Sequence, residues 1–409
     1  MSTPILIFLV TYFLIAAQRV PGLHLNRPAA ALLGAVAMVL FGGLPLREAY
    51  AAVDLDVLVF LLGVMLLVAH LELGGFFEQA AAWLLTHAHT PRRLLVYLTV
   101  GSGLLSAFFV NDTVCLVLVP VVLAALGPLD VRPAPYLLGL GMGSNVGSLL
   151  TFTGNPQNML VGLWSGIPFA RFSLQMLPVV AGGLAITCLV LLKIYREELS
   201  PPLVRDAIPP VAPADGRMVG TALALFAGCV AAWVAGASLP LAAIAAGALM
   251  LALGGRNPGD ALARVEWSLL LFFAALFVVM QGLERSGIVD RINHDGLAWM
   301  SPDNRWSTAT AVSGVMLVLS NLISNVPAVI LWRSVVPALP EPRFVWSVMA
   351  MSATLAGNML LIGSMANLIV AERAEARGVK LGYWEFARAG VPVTLLTIGW
   401  GIVVLVLTT

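Results

Sequence analysis

A chain of 409 residues with 60% hydrophobic and only 11% charged residues lacks the polar surface of a soluble globule, in which about a quarter of residues are charged. Its net charge of +1 is not the basic footprint of a nucleic-acid partner. A mean hydropathy of +0.95 and apolar runs of 17 or more residues along the whole length indicate an all-α polytopic membrane protein.

The first run, 4–20, has no basic residue before it and no small-residue cleavage site after it, so it is expected to remain as a spanning helix. Further spans are predicted over 28–44 and 55–72. The segment 94–126 is apolar but carries Asn111, Asp112 and Thr113 at its centre; it is predicted to enter and leave on one side, as a re-entrant hairpin. A span over 135–150 runs into "TFTGNPQN", 151–158, where Gly154 and Pro156 break the helix, and 173–194 follows. The charged, proline-rich stretch 196–217 is predicted to be a cytoplasmic linker between two units, 1–195 and 218–409. The pattern then restarts with 218–236, 240–254 and 267–284, a second hairpin over 306–338 with Ser324-Asn325-Val326-Pro327 at its tip, 344–360 running into "IGSMAN", and 390–408.

The two halves align in order. Asp54 falls on Glu266 and Glu72 on Glu284 at a spacing of 212; Asn111 falls on Asn325 at 214; Gly154 falls on Gly363 and Asn158 on Asn367 at 209. With a hairpin in each half, every half crosses five times, and an odd number of crossings inverts the second repeat relative to the first. Placing both termini outside leaves fifteen basic residues in cytoplasmic segments against six outside, the bias of the positive-inside rule. Inverted repeats with helices broken at the midplane are the architecture of secondary transporters, whose site lies at the repeat interface.

Backbone that leaves helical geometry at membrane depth must be buried or line a cavity. The four breaks therefore mark the candidate site: Asn111, Asp112, Thr113, Thr151, Thr153, Gly154, Asn155 and Asn158 from the first half, and Ser324, Asn325, Gly363, Ser364 and Asn367 from the second. Their helix ends offer N–H groups to oxygen atoms and carbonyls to a cation. Asp112 is the one carboxylate there and the candidate proton carrier, since an ionisable group in a span is a functional candidate by default; capping of the returning arm is its bland alternative. Structural roles at the breaks compete with ligand contact for the asparagines, Asn145 and Asn358 included. Gly139, Gly143 and Gly147 suit close helix packing better than a nucleotide loop. Cys115 is expected to pack, no disulfide is expected among the three cysteines, His87 and His89 are expected in an interfacial stretch without metal, and Glu72 and Glu284 are expected to end their helices in water.

On these motifs the chain resembles the ion-transporter superfamily, which includes arsenite efflux permeases, divalent-anion/sodium symporters, citrate transporters and certain sodium/proton antiporters. The second tip keeps the Ser324-Asn325 of the symporter branch. The Asn111-Asp112 pair after a Phe-rich segment looks like the arsenite permease branch, and "TGNPQN" like the Gly-x-Pro-x-Asn element of the wider superfamily. The resemblance implies a non-enzymatic transporter of a bacterial inner membrane, with a small inorganic substrate, protons or sodium as coupling ion and no cofactor. A homodimer is common in one branch, and a soluble ATPase partner is known for some arsenite permeases.

A site of Asn, Thr, Ser and one Asp, free of Arg and Lys, suits a small, mostly neutral hydroxylated species. The leading expectation is export of arsenite or antimonite in exchange for protons. Transport of an inorganic or organic anion coupled to sodium or protons, sodium/proton antiport, and a passive channel or membrane anchor are the alternatives.

Overall fold

The computed structural model describes residues 2–17, 25–127, 131–200, 212–288 and 304–409, and every regular element in them is helical. In chain order these are α1 (Thr3–Ala17), α2 (Arg27–Leu40), α3 (Leu46–Ala52), α4 (Leu55–Leu73), α5 (Phe76–His87), α6 (Pro91–Ser106), α7 (Asn111–Leu126), α8 (Ala134–Ser148), α9 (Pro156–Trp164) and α10 (Phe169–Ile194). Then come α11 (Gly216–Val234), α12 (Leu239–Leu253), α13 (Pro258–Leu262), α14 (Trp267–Glu284), α15 (Arg305–Ile323), α16 (Asn325–Trp332), α17 (Pro342–Ala356), α18 (Met365–Glu375) and α19 (Tyr383–Thr408). Six of them, α4, α10, α11, α14, α15 and α19, are long and apolar enough to cross a membrane.

The predicted spans lie on these helices, with differences at the ends. The last helix begins at Tyr383 rather than at 390, because Gly382 and the turn before it, not a polar residue, set its start. The returning arm of the second segment is short: α16 has eight residues and stops at Trp332, where the chain turns before a single 3₁₀ turn at Val336–Ala338. The last two residues of the predicted linker 196–217 belong to α11, which Asp215 caps by accepting from the Met218 N–H. Its middle, together with Arg19, Arg205 and Arg291 of the charge count, lies outside the described residues. Three short helices were not foreseen, α3, α5 and α13, because half-polar segments of 5–12 residues give too few turns for a period to register.

Close approach of backbones fixes the middle of the first half. A Cβ on Gly143 would collide with the Thr99 carbonyl, and one on Gly147 with that of Gly103, so α6 and α8 pack main chain to main chain, as small residues in membrane helices allow. The Ser102 hydroxyl donates across this seam to the Leu140 carbonyl at 2.9 Å. Cys115, Cys188 and Cys229 are all buried and unpaired by disulfides. His87 sits at the end of α5 with Nδ1 2.8 Å from the Trp83 carbonyl.

Glu72 departs from expectation. Instead of ending α4 in water, it forms an ion pair with Arg264, and its side chain is only 15% exposed. At the opposite end of α4, Asp54 caps the helix through the Val57 N–H. Its second oxygen accepts from the Trp164 indole at 2.9 Å and lies 3.9 Å from Arg333. The Arg333 guanidinium in turn stands over the Trp164 ring, 4.4 Å from its centroid. Asp54, Trp164 and Arg333 thus tie the start of α4 to the ends of α9 and α16.

Candidate functional site

Four helices begin at one place. A cavity of about 40 Å³ is lined by the first residues of α7 (Asn111, Asp112), of α9 (Pro156, Gln157) and of α16 (Asn325, Val326), and by Ser364 and Met365 at the start of α18. Arg27, Ser324, Leu269, Phe272 and Phe273 complete the wall. Each helix N-terminus presents unsatisfied N–H groups and roughly half a positive charge, so the cavity favours oxygen atoms with partial or full negative charge. Pro156 suits the first turn of α9, where a missing N–H removes no helical bond.

Asp112 is 7% exposed, and α7 has no side-chain cap. Among the described residues its carboxylate has no hydrogen-bond or ion-pair partner, so capping does not account for it. It feels the negative charge of Glu266 and the positive charge of Arg27. Arg27 corrects the expected composition of the site. It stands directly before the predicted span 28–44 and opens α2 after the Asn26 cap, and its side chain reaches the cavity and the Met365 sulfur at 3.5 Å. The site therefore carries one guanidinium and one carboxyl group.

Behind the cavity lies a buried amide network. The Asn145 side-chain oxygen accepts from Asn111 Nδ2 (2.9 Å) and from the Ser364 hydroxyl (2.9 Å), while its nitrogen donates to Asn358 Oδ1 (2.8 Å) and Asn367 Oδ1 (3.1 Å). Thr354 takes the corresponding place in the other half. Its hydroxyl accepts from Asn155 (3.4 Å) and Gln157 (3.3 Å) and donates to Asn158 Oδ1 (3.4 Å). Asn145 and Thr354, Asn155 and Ser364, and Asn158 and Asn367 are each 209 positions apart. Each half thus holds the broken helix of the other through equivalent positions. Asn325, with its amide oriented by its surroundings, donates to the carbonyls of Ala353 (3.0 Å) and Gly363 (3.3 Å). Among the described residues Asn111 Oδ1 is left without a partner.

Of the residues singled out in the sequence, Asn111, Asp112, Ser324, Asn325 and Ser364 line the cavity. The others do not. Thr151 and Thr153 donate to the carbonyls of Ala107 and Phe108, holding the turn between α6 and α7. Asn155 caps α9 through the Asn158 N–H (2.8 Å), and Asn158 Nδ2 binds the carbonyls of Ser148 and Thr151. Asn367 donates to the Gly357 carbonyl (2.8 Å). Gly154 and Gly363 are places where carbonyls or a side chain come too close for a Cβ. Thr113 faces a separate cavity of about 20 Å³ with Glu72, Arg264 and Glu266. Sequence reading missed Arg27 and Gln157; Gln157 stands inside the "TGNPQN" motif, whereas nothing local marked Arg27.

Ser324 bears strain. With φ 74° and ψ 160°, it occupies a region essentially reserved for glycine, at a cost of about 1–3 kcal/mol. Its counterpart before α7, Val110, is relaxed at φ −48° and ψ 123°. Ser324→Gly is expected to raise stability by about 1 kcal/mol or more, and Ser324→Ala to leave it unchanged, as read by thermal unfolding in detergent.

The sequence matches the citrate transporter family CitMHS over residues 12–348. The chain belongs to this family. It is thereby a membrane transporter of the ion-transporter superfamily, integral to the bilayer with several passes. Among relatives in the same range of similarity, the silicon efflux transporter LSI3 of Oryza sativa subsp. japonica is 31% identical over 97% of this chain and 95% of its own length. The inner membrane protein YbiR of Escherichia coli (strain K12) is 31% identical over 87% and 89%. The fold resembles the crystal structure of the Alcanivorax borkumensis YdaH transporter, with a TM-score of 0.59 at 18% identity, covering 98% of this chain and 97% of that one.

Proposed function

We propose that this family member is a secondary-active exporter of a small hydroxylated metalloid acid, arsenite or antimonite, in exchange for protons. The observation that carries the reading is a cavity at which four helix N-termini meet a carboxylate, Asp112, that has no partner among the described residues. At about 40 Å³ the cavity has room for roughly three water-sized groups. That suits a small acid with three oxygens better than a tricarboxylate. The relative named for silicon efflux fits the same class, since dissolved silicon is a neutral hydroxylated acid.

The chemistry follows from the two states of one carboxyl group. Ionised Asp112 accepts a hydrogen bond from a substrate hydroxyl while the helix N–H groups hold the other oxygens. Protonated Asp112 keeps only a weaker, uncharged acceptor, so its hold on the hydroxyl loosens and the substrate leaves. A carrier that crosses either with substrate or with a proton exchanges one for the other.

The halves 1–195 and 218–409 are read as inverted repeats of five spans each. In each, α6–α7 or α15–α16 forms a re-entrant hairpin, and 196–217 is a cytoplasmic linker. The reciprocal bonding of Asn145 and Thr354 at a common spacing supports this. The bilayer is taken to be a bacterial inner membrane with both termini outside.

Arg27 favours a second reading, uptake or exchange of an anion coupled to sodium or protons, as the family description suggests. Everted vesicles containing the protein, given a proton gradient in sodium-free buffer, separate the two. Uphill arsenite accumulation that a protonophore abolishes and citrate does not inhibit is the expected result. No arsenite accumulation, with citrate or sulfate taken up instead, would overturn it.

A further inference from the structure

At the end of the molecule where α9 finishes and α15 begins lies a second, wider cleft of about 510 Å³, distinct in lining from the central cavity. Arg171 of α10, Arg305 of α15 and Arg343 of α17 converge on it from three separate helices. Only Arg305 is balanced, by Glu341, whose carboxylate takes both its Nε (2.9 Å) and an Nη. Arg171 and Arg343 have no carboxylate partner among the described residues. Planar guanidinium groups with free N–H donors bind phosphate and carboxylate oxygens in pairs, so the cleft, which Glu341 and Thr409 also line, offers two guanidinium groups to an oxyanion.

A second feature says where that anion sits. Leu174 and Leu177 continue the α10 face that starts at Arg171 and are 70% and 51% exposed; Trp306, beside Arg305, is 45% exposed. In a membrane such side chains meet lipid, and tryptophan at a helix start belongs at headgroup level. Acyl chains can therefore lie along the apolar faces while the arginines meet a charged group at the surface, the arrangement of basic headgroup pockets between transmembrane helices.

We propose that this cleft binds a phosphate-bearing anion, the headgroup of an anionic phospholipid being the form that its apolar flanks accommodate. The site is independent of the transported solute. Because Arg305 opens α15 while Glu341 and Arg343 stand at the start of α17, an occupant would bridge the two helices that flank the α15–α16 segment.

The test uses purified full-length protein in detergent and follows its thermal midpoint with added phosphatidylglycerol, phosphatidylcholine or inorganic phosphate. The comparison protein is the double variant Arg171→Gln, Arg343→Gln. Both side chains are exposed and unpartnered, so the variant should unfold at the wild-type temperature without ligand. Phosphatidylglycerol is expected to raise the wild-type midpoint, and the double variant to need roughly thirtyfold more lipid for the same shift. An equal, arginine-dependent shift with inorganic phosphate would keep the phosphate site and assign its occupant to the solvent. A shift that ignores the arginines, that phosphatidylcholine reproduces, or that neither phosphate source produces overturns the proposal.

Discussion

Asp112→Asn is expected to leave the helical framework standing and to end proton-driven accumulation. The carboxylate makes no hydrogen bond to the protein among the described residues, so an amide of the same shape removes no structural contact. The stability change should stay within about 1 kcal/mol. What disappears is the ability to alternate between an acceptor and a protonated form. Uphill arsenite uptake into everted vesicles should fall by at least about tenfold, the effect of 1.4 kcal/mol on one step. Counterflow of labelled arsenite against unlabelled arsenite, which needs no net proton movement, should persist. Wild-type accumulation by the variant would remove Asp112 from proton coupling; loss of both activities would make it a substrate ligand alone.

The second large effect is structural. Asn145 satisfies Asn111, Ser364, Asn358 and Asn367 at once, all of them buried. Asn145→Ala strands four polar groups, each at a cost of about 1–3 kcal/mol. Even the low end, about 4 kcal/mol, approaches the 5–15 kcal/mol that holds a typical domain together. The variant is expected to be recovered largely misfolded, seen as loss of the monodisperse peak on size exclusion in detergent. Thr354→Val, at the equivalent position, breaks only bonds of 3.3–3.4 Å and should cost about 1–2 kcal/mol. Equal effects of the two would contradict the weight given to the Asn145 node.

The site was legible where the chain contradicts its surroundings. Asn111-Asp112 and Ser324-Asn325 interrupt apolar segments, and a polar tip at membrane depth has few explanations. Those four residues line the cavity. The same argument over-selected at "TFTGNPQN": Thr151, Thr153, Asn155 and Asn158 are polar because freed backbone groups need partners, and a sequence does not tell a residue that serves the backbone from one that serves a ligand. Arg27 shows the opposite limit. It looks like any positive charge between two spans, and only the three-dimensional path of α2 brings it beside Asp112. The long helices were read to within a few residues, apart from the start of α19, whereas α3, α5 and α13 left no periodic signal. Glu72 was misjudged because its partner, Arg264, is 192 residues away.

The contact of Asp54, Trp164 and Arg333 has a consequence for the balance of traffic. In the proposed orientation it lies on the outer side, where it fastens α9 and α16 to the start of α4. Over a half-exposed cation such a buttress is worth about 0.5–1 kcal/mol; set against two otherwise equal states, about 1 kcal/mol would leave roughly one molecule in six open to the outside at rest. Solute outside then meets a binding-competent form that rarely, and its apparent affinity is weakened by that same factor. Solute arriving from the cytoplasm meets no such discount. Release outward and recapture inward would use the same residues, yet the resting population alone makes re-entry the poorer competitor, a valve built from occupancy rather than from any difference in the site.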